Sequence, residues 1–217
     1  MISKFHTITL TGFTLSPLPK TISTILNTEV SGILSGEIKA DKINDKLAGF
    51  IKKQHRITKS LDTIAPYIYD ITEEYLKYTG AKPVKRDRYT IINPGDPEAA
   101  PELWVNFQEK QDINPIHSHG GLVSFVIWLK IPFLFKDEQE HPSVKNSKTA
   151  KMASTFTFYY TDTRVPGGIG MLSLPVDKTW EDTIIMFPSW LNHSVYPFQT
   201  SNDPRISIAG NVFLKNA

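Results

Sequence analysis

Asn114-Pro115-Ile116-His117-Ser118-His119-Gly120-Gly121, running straight into the apolar stretch Leu122 to Leu129, decides how this chain reads. Its counterpart further on is Phe187-Pro188-Ser189-Trp190-Leu191-Asn192-His193, followed by Asp203-Pro204-Arg205-Ile206-Ser207. Alternate residues of a strand share a face, so His117 and His119 at a strand mouth can point one way. A later strand can return His193 to the same point, and three imidazoles then close on one metal ion. Arg205 and Ser207, also two apart, add a cation and a hydroxyl suited to a small carboxylate.

Working outward, the chain from Arg88 onward is written in strands. Segments rich in Val, Ile, Phe, Tyr and Thr alternate with Pro, Gly, Asn and Asp: Tyr89 to Ile92, Leu103 to Gln108, Leu122 to Ile131, Thr155 to Thr161, Gly170 to Leu174, Asp182 to Phe187, Ser194 to Phe198 and Arg205 to Phe213. No helical pattern separates them, which predicts an antiparallel jelly-roll, mainly β, with helices packed on one sheet. A further short strand is expected over Ile8 to Thr14, stopped by Pro17 and Pro19. Residues 20 to 80 read as helical. Ile64, Tyr67, Ile68, Ile71, Tyr75 and Leu76 recur at helical spacing, Asp62 is the expected cap and Gly80 the stop, and a second short helix is expected over Leu47 to Lys53. The polar run Lys136 to Lys151 reads as a mobile loop of the length that often forms a lid.

Composition bounds the chemistry. A chain of 217 residues suits one domain, here 1–217, with 20–80 buttressing a sheet core at 88–213. A net charge of +2 is too small to indicate nucleic acid or an acidic membrane surface. With no cysteine, only His, Asp or Glu can ligate a metal, and disulfides and iron–sulfur clusters are excluded. No apolar run approaches the roughly 20 residues that span a bilayer, so the expected location is cytoplasmic.

The candidate ligands are His117, His119 and His193, while His6, His55 and His141 read as surface residues. Gly120-Gly121 is expected to leave open space beside the metal. Two histidines and a carboxylate are the usual facial set for non-heme Fe(II) oxygenases, and here His119 stands where the carboxylate is expected. Asp112 and Asp182 are the candidates to compensate. Asn106 offers an amide to the ligand, Trp128 reads equally as an indole N–H toward it or as core, and Trp190 reads as a pocket wall.

These motifs resemble the 2-oxoglutarate and Fe(II)-dependent oxygenase superfamily over roughly residues 88 to 213, with wording similar to oxygenases encoded by large bacteriophages. The resemblance implies a double-stranded β-helix, a jelly-roll variant. It also implies Fe(II), 2-oxoglutarate and O2 as the reacting partners, and host cytoplasm for a phage enzyme. Residue by residue, His117 and His193 match the metal-ligating histidines, His119 falls on the carboxylate position, Arg205 matches the arginine for the 2-oxoglutarate C5 carboxylate and Ser207 its hydroxyl neighbour. The primary substrate, a protein side chain or a small molecule, is not written in the sequence, and a homo-oligomer is allowed. Two other readings stay open: a cupin-like three-histidine metalloenzyme that does not use 2-oxoglutarate, and a non-catalytic jelly-roll serving as a virion or assembly protein.

Overall fold

The computed structural model describes residues 12–81, 84–96, 98–146, 152–162 and 164–215. In chain order its strands and helices are β1 (Thr14–Pro17), α1 (Lys20–Ser35), β2 (Lys53–Arg56), α2 (Leu61–Thr79), β3 (Tyr89–Thr90), β4 (Leu103–Gln108), β5 (Asn114–His117), β6 (Val123–Lys130), α3 (Phe135–Glu140), α4 (Pro142–Lys145), β7 (Phe156–Asp162), β8 (Gly168–Leu174), β9 (Thr183–Pro188), β10 (Asn192–Val195) and β11 (Arg205–Leu214). The larger sheet runs β1-β9-β6-β11-β4-β2 with β3 on β11, and the smaller runs β5-β10-β7-β8. Every pairing is antiparallel. From β4 to β11 the chain passes back and forth between the two sheets. That is the double-stranded β-helix, mainly β with packed helices.

Period-two sorting builds two cores from the same strands. On β4, β6, β9 and β11 one set of alternate side chains, including Leu103, Val105, Phe125, Ile127, Ile184, Met186 and Ile208, packs with Leu26 and Val30 of α1 and Ile64, Ile68 and Tyr75 of α2. The opposite set, including Trp128, Ile185 and Phe187, meets Phe156 and Phe158 of the smaller sheet. Covered on both faces, β4 is buried at all six positions. Burying one such Ile or Leu is worth about 1.5–3 kcal/mol.

The helices depart from expectation in instructive ways. Gly32 lies inside α1, where a Cβ would run into the Ile38 side chain, and Gly36 ends the helix at φ +81°. The helix expected over Leu47 to Lys53 is instead an irregular segment leading into β2, because Gly49 holds φ +121° and Phe50 N–H donates to Ile113 O at 2.8 Å. Asp62 does not cap α2. The buried carboxylate of Glu29, on α1, does so from outside: it accepts from Thr58 N (3.0 Å), Lys59 N (2.9 Å), Ser60 N (2.7 Å) and Ser60 Oγ (2.5 Å). An anion against these N–H groups satisfies donors that local sequence leaves open.

Asn114-Pro115 opens β5, which among the described strands pairs with β10 alone, and an edge strand tolerates a proline. One loop expectation changes as well. Within Lys136 to Lys151, the described part forms α3 and α4 rather than a free lid. Glu138, fully buried, accepts from Gln199 N (2.7 Å) and Thr200 N (2.8 Å), and Asp177 accepts from Phe135 N (3.0 Å). Much of the strand expected over Ile8 to Thr14 lies outside the described residues, and the strand within them is Thr14–Pro17. No helix among the described residues is long and apolar enough to cross a membrane.

Candidate metal centre

His117 ends β5 and His193 lies on β10, directly paired in register, while His119 follows β5 with its N–H donating to Ser189 O at 2.8 Å. One potential ligand atom from each of the three imidazoles falls within 4.8 Å of the others. The His117 Nδ1 lies 2.7 Å from Pro115 O and the His193 Nδ1 2.9 Å from Leu191 O, each carbonyl two residues before its histidine. A carbonyl only accepts, so each Nδ1 carries the proton and each Nε2 is left as a lone pair. Burial lowers all three basicities, with His119 brought down to about 4 and the neighbouring imidazoles adding to the effect on His119 and His193. The imidazoles are therefore neutral at physiological pH, the state in which they ligate a metal. The chemistry of this donor set fits Fe(II).

The wall around them is aromatic. His193 stacks on Phe156 at 5.5 Å and meets Phe187 edge-on at 4.8 Å, and His119 lies 5.8 Å from Trp104. Neither proposed compensating carboxylate joins the cluster. Asp112 accepts from Glu109 N at 3.0 Å, and Asp182 accepts from Ser23 Oγ at 2.5 Å on the helix side of the sheet. Gly121 does not open space at the metal either; at φ +99° it lets the chain pass Val212 O and the Phe213 ring, where a Cβ would clash.

Arg205, Ser207, Asn106 and Trp128 line one cavity together with the three histidines. Arg205 is 2% exposed and makes four contacts: Nε and Nη2 to Gln108 Oε1 (3.1 and 2.7 Å), Nη2 to Tyr196 O (3.1 Å) and Nη1 to Ser154 O (3.4 Å). Its guanidinium packs 5.7 and 5.8 Å from the Phe133 and Phe198 ring centroids. Burial draws its pKa down to about 10 against an opposing pull from Glu138. Among the described residues no carboxylate comes within ion-pair distance of it. A buried cation on a cavity wall with no carboxylate in direct contact is a site for an anion. Gln108, Tyr196 and Ser154 take four of its five N–H groups, and the one left over is on Nη1, so a carboxylate there meets a single donor of the guanidinium.

Trp128 is buried and packs edge-on against Phe156 and Trp180, while Trp190 is 60% exposed and is not a pocket wall. His141 accepts from Ser143 N at the start of α4, His55 lies on β2 near Phe107, and His6 lies outside the described residues. Gln108 and Gln54 are among the cavity residues that were not anticipated. Gln108 shares a face with Trp104 and Asn106, so the alternation of Leu103 to Gln108 carried the signal. Gln54 carried none, being on a short polar strand inside a region that reads as helical.

A family model described as "Putative 2OG-Fe(II) oxygenase" matches residues 102–211. Among solved structures, the chain is similar to a prolyl-4-hydroxylase from Pseudomonas putida at 14% identity and TM-score 0.52, covering 95% of this chain and 94% of that one. It is similar to the non-heme alpha ketoglutarate dependent epimerase SnoN from nogalamycin biosynthesis at 12% identity and TM-score 0.55, covering 94% and 76%. It is also similar to an oxidoreductase of the 2OG-Fe(II) oxygenase family from Burkholderia pseudomallei at 11% identity and TM-score 0.52, covering 93% and 84%. At these identities the likeness is one of fold. No curated protein matches the sequence.

Proposed function

Because the chain belongs to the 2OG-Fe(II) oxygenase family, we propose that His117, His119 and His193 hold its Fe(II), and that Arg205 and Ser207 hold the distal carboxylate of 2-oxoglutarate. The observation that carries this reading is one cavity faced by three neutral imidazoles and a buried guanidinium that no carboxylate contacts. When bound, Fe(II) would activate O2, the oxidant, with electrons drawn from 2-oxoglutarate as it is oxidised with loss of CO2, for attack on a substrate C–H bond.

The chain's own residues orient and exclude. Pro115 O and Leu191 O keep the protons of His117 and His193 on Nδ1, aiming both Nε2 lone pairs at the metal position. Arg205, itself held by Gln108, gives the carboxylate a charge-assisted hydrogen bond, and Ser207 a second donor. Trp128, Phe156 and Phe187 line the same cavity and keep water from the reacting centre.

His119 sets the charge. With neutral imidazoles, Fe(II), the Arg205 cation and the 2-oxoglutarate dianion sum to one positive charge, where a carboxylate ligand would bring the sum to zero. That same substitution favours a second reading, a three-histidine centre that does not use 2-oxoglutarate. Anaerobic titration of the Fe(II) protein with 2-oxoglutarate separates them: a visible charge-transfer band and calorimetric binding support the first, and metal binding without either supports the second. The wording of the motifs supports kinship with enzymes of large bacteriophages, acting in host cytoplasm. The core shared by α1, α2 and the larger sheet supports reading the chain as one domain, with 20–80 buttressing 88–213.

A further inference from the structure

One rung of the larger sheet crosses the cavity floor. Gln54 on β2 faces Asn106 on β4, Asn106 faces Ser207 on β11, and Ser207 faces Trp128 on β6. The first three are joined side chain to side chain: Gln54 Nε2 donates to Asn106 Oδ1 at 2.8 Å, and Asn106 Nδ2 donates to Ser207 Oγ at 3.3 Å. Gln54 is 1% exposed and lines the cavity, and its Oε1 has no hydrogen-bond partner. A buried acceptor left unpaired is costly unless something in the cavity completes it.

The chain of amides has only two polarities, because an amide nitrogen donates and its oxygen accepts. In the arrangement present, Ser207 accepts from Asn106 and keeps its O–H for the cavity, while Gln54 is left with a free acceptor. In the reverse arrangement Ser207 donates to Asn106, both amides turn over, and Gln54 presents N–H groups instead. A carboxylate at Ser207 requires the O–H to point outward and so selects the first polarity. 2-Oxoglutarate as a dianion has no donor with which to complete Gln54.

We propose that Gln54, Asn106 and Ser207 form a polarity relay set by the cosubstrate, and that Gln54 Oε1 accepts a hydrogen bond from a neutral amide or hydroxyl of the primary substrate. The inference rests on the assignment of Arg205 and Ser207 to 2-oxoglutarate. Neutrality follows from the surplus positive charge of the loaded cavity, which disfavours an ammonium or guanidinium. Leu47, Ala48 and Ile51 line the same cavity and give the group next to that donor an apolar surface.

The full chain, loaded with diamagnetic Zn(II) and labelled with 15N in its side-chain amides, provides the test by nuclear magnetic resonance, with Gln54 resonances identified by their loss in Gln54→Met. Addition of 2-oxoglutarate should shift the Gln54 amide although the cosubstrate does not touch it; Ser207→Ala should abolish that shift and Ser207→Thr restore it. With cosubstrate present, N-methylacetamide should perturb Gln54 and bind about threefold to tenfold more tightly than N,N-dimethylacetamide, the range of one neutral hydrogen bond. Gln54→Met should erase that preference while the chain still binds Zn(II). Equal binding of the two amides, no response of Gln54 to N-methylacetamide, a preference that survives Gln54→Met, or a Gln54 amide indifferent to cosubstrate would each overturn the relay. If 2-oxoglutarate does not bind at all, the cosubstrate assignment fails and the relay with it; if it binds without these effects, only the relay fails.

Discussion

Replacing Arg205 with lysine should make 2-oxoglutarate binding both weaker and pH-dependent, and the structure sets both magnitudes. Arg205 has one N–H on Nη1 beyond its contacts with Gln108, Tyr196 and Ser154. Lysine keeps a charge but not that aimed donor, and a hydrogen bond to a charged group is worth about 1.5–3 kcal/mol. At about 1.4 kcal/mol per decade, Arg205→Lys should weaken 2-oxoglutarate by roughly 10- to 150-fold. Burial lowers the arginine from 12.5 to about 10. The same depression applied to a lysine of about 10.4 brings it near pH 8. The cationic form is the one that binds, so the variant should hold its reduced affinity below about pH 8 and lose roughly tenfold per pH unit above it. The natural arginine stays charged, and its affinity stays flat, to about pH 10. Anaerobic calorimetry with Mn(II) in place of Fe(II), from pH 6.5 to 9, measures both effects. An affinity within about twofold of the original, well short of the decade expected, or a pH-independent one, would refute the reasoning and remove Arg205 from the cosubstrate site. Metal affinity measured without cosubstrate should be unchanged.

Other substitutions probe the metal and the frame. His117→Ala and His193→Ala should each abolish stoichiometric metal binding; metal content per chain checks it, and one retained equivalent at the original affinity would disprove the site. The two should differ in stability, because His193 is 3% exposed and wedged against Phe156 and Phe187 whereas His117 is only partly buried. Urea unfolding should show about 2–3 kcal/mol lost for His193→Ala, the scale of a buried ring replaced by a cavity. His119→Asp restores a carboxylate and should hold Fe(II) at least as well while raising 2-oxoglutarate turnover without substrate; loss of metal would assign His119 another job. Glu29→Ala leaves three backbone N–H groups before α2 without their acceptor and should cost about 3 kcal/mol, with metal affinity unaltered. A loss under about 1 kcal/mol, the level of one ordinary hydrogen bond, would mean that water replaces the carboxylate.

Local pattern alone carried the strands and most of the site. Leu103 to Gln108 alternates between two environments, and Arg205 and Ser207 lie two apart on β11, so period two predicted that these side chains face the cavity, which His119 reaches from just beyond the end of β5. The α2 helix was legible for the same reason, its apolar residues recurring at the helical period. What stayed hidden depends on partners distant in sequence. Glu29 caps a helix that follows it by a loop and a strand, and Glu138 pins a segment whose polar composition reads as free loop. Gln108 takes up part of the Arg205 fork, and Gln54 reaches the cavity only because β2 adds itself to the edge of β4. Periodicity reports the face a residue occupies; hydrogen-bond partners are fixed by register between strands and by packing between elements, and only the assembled tertiary structure specifies those.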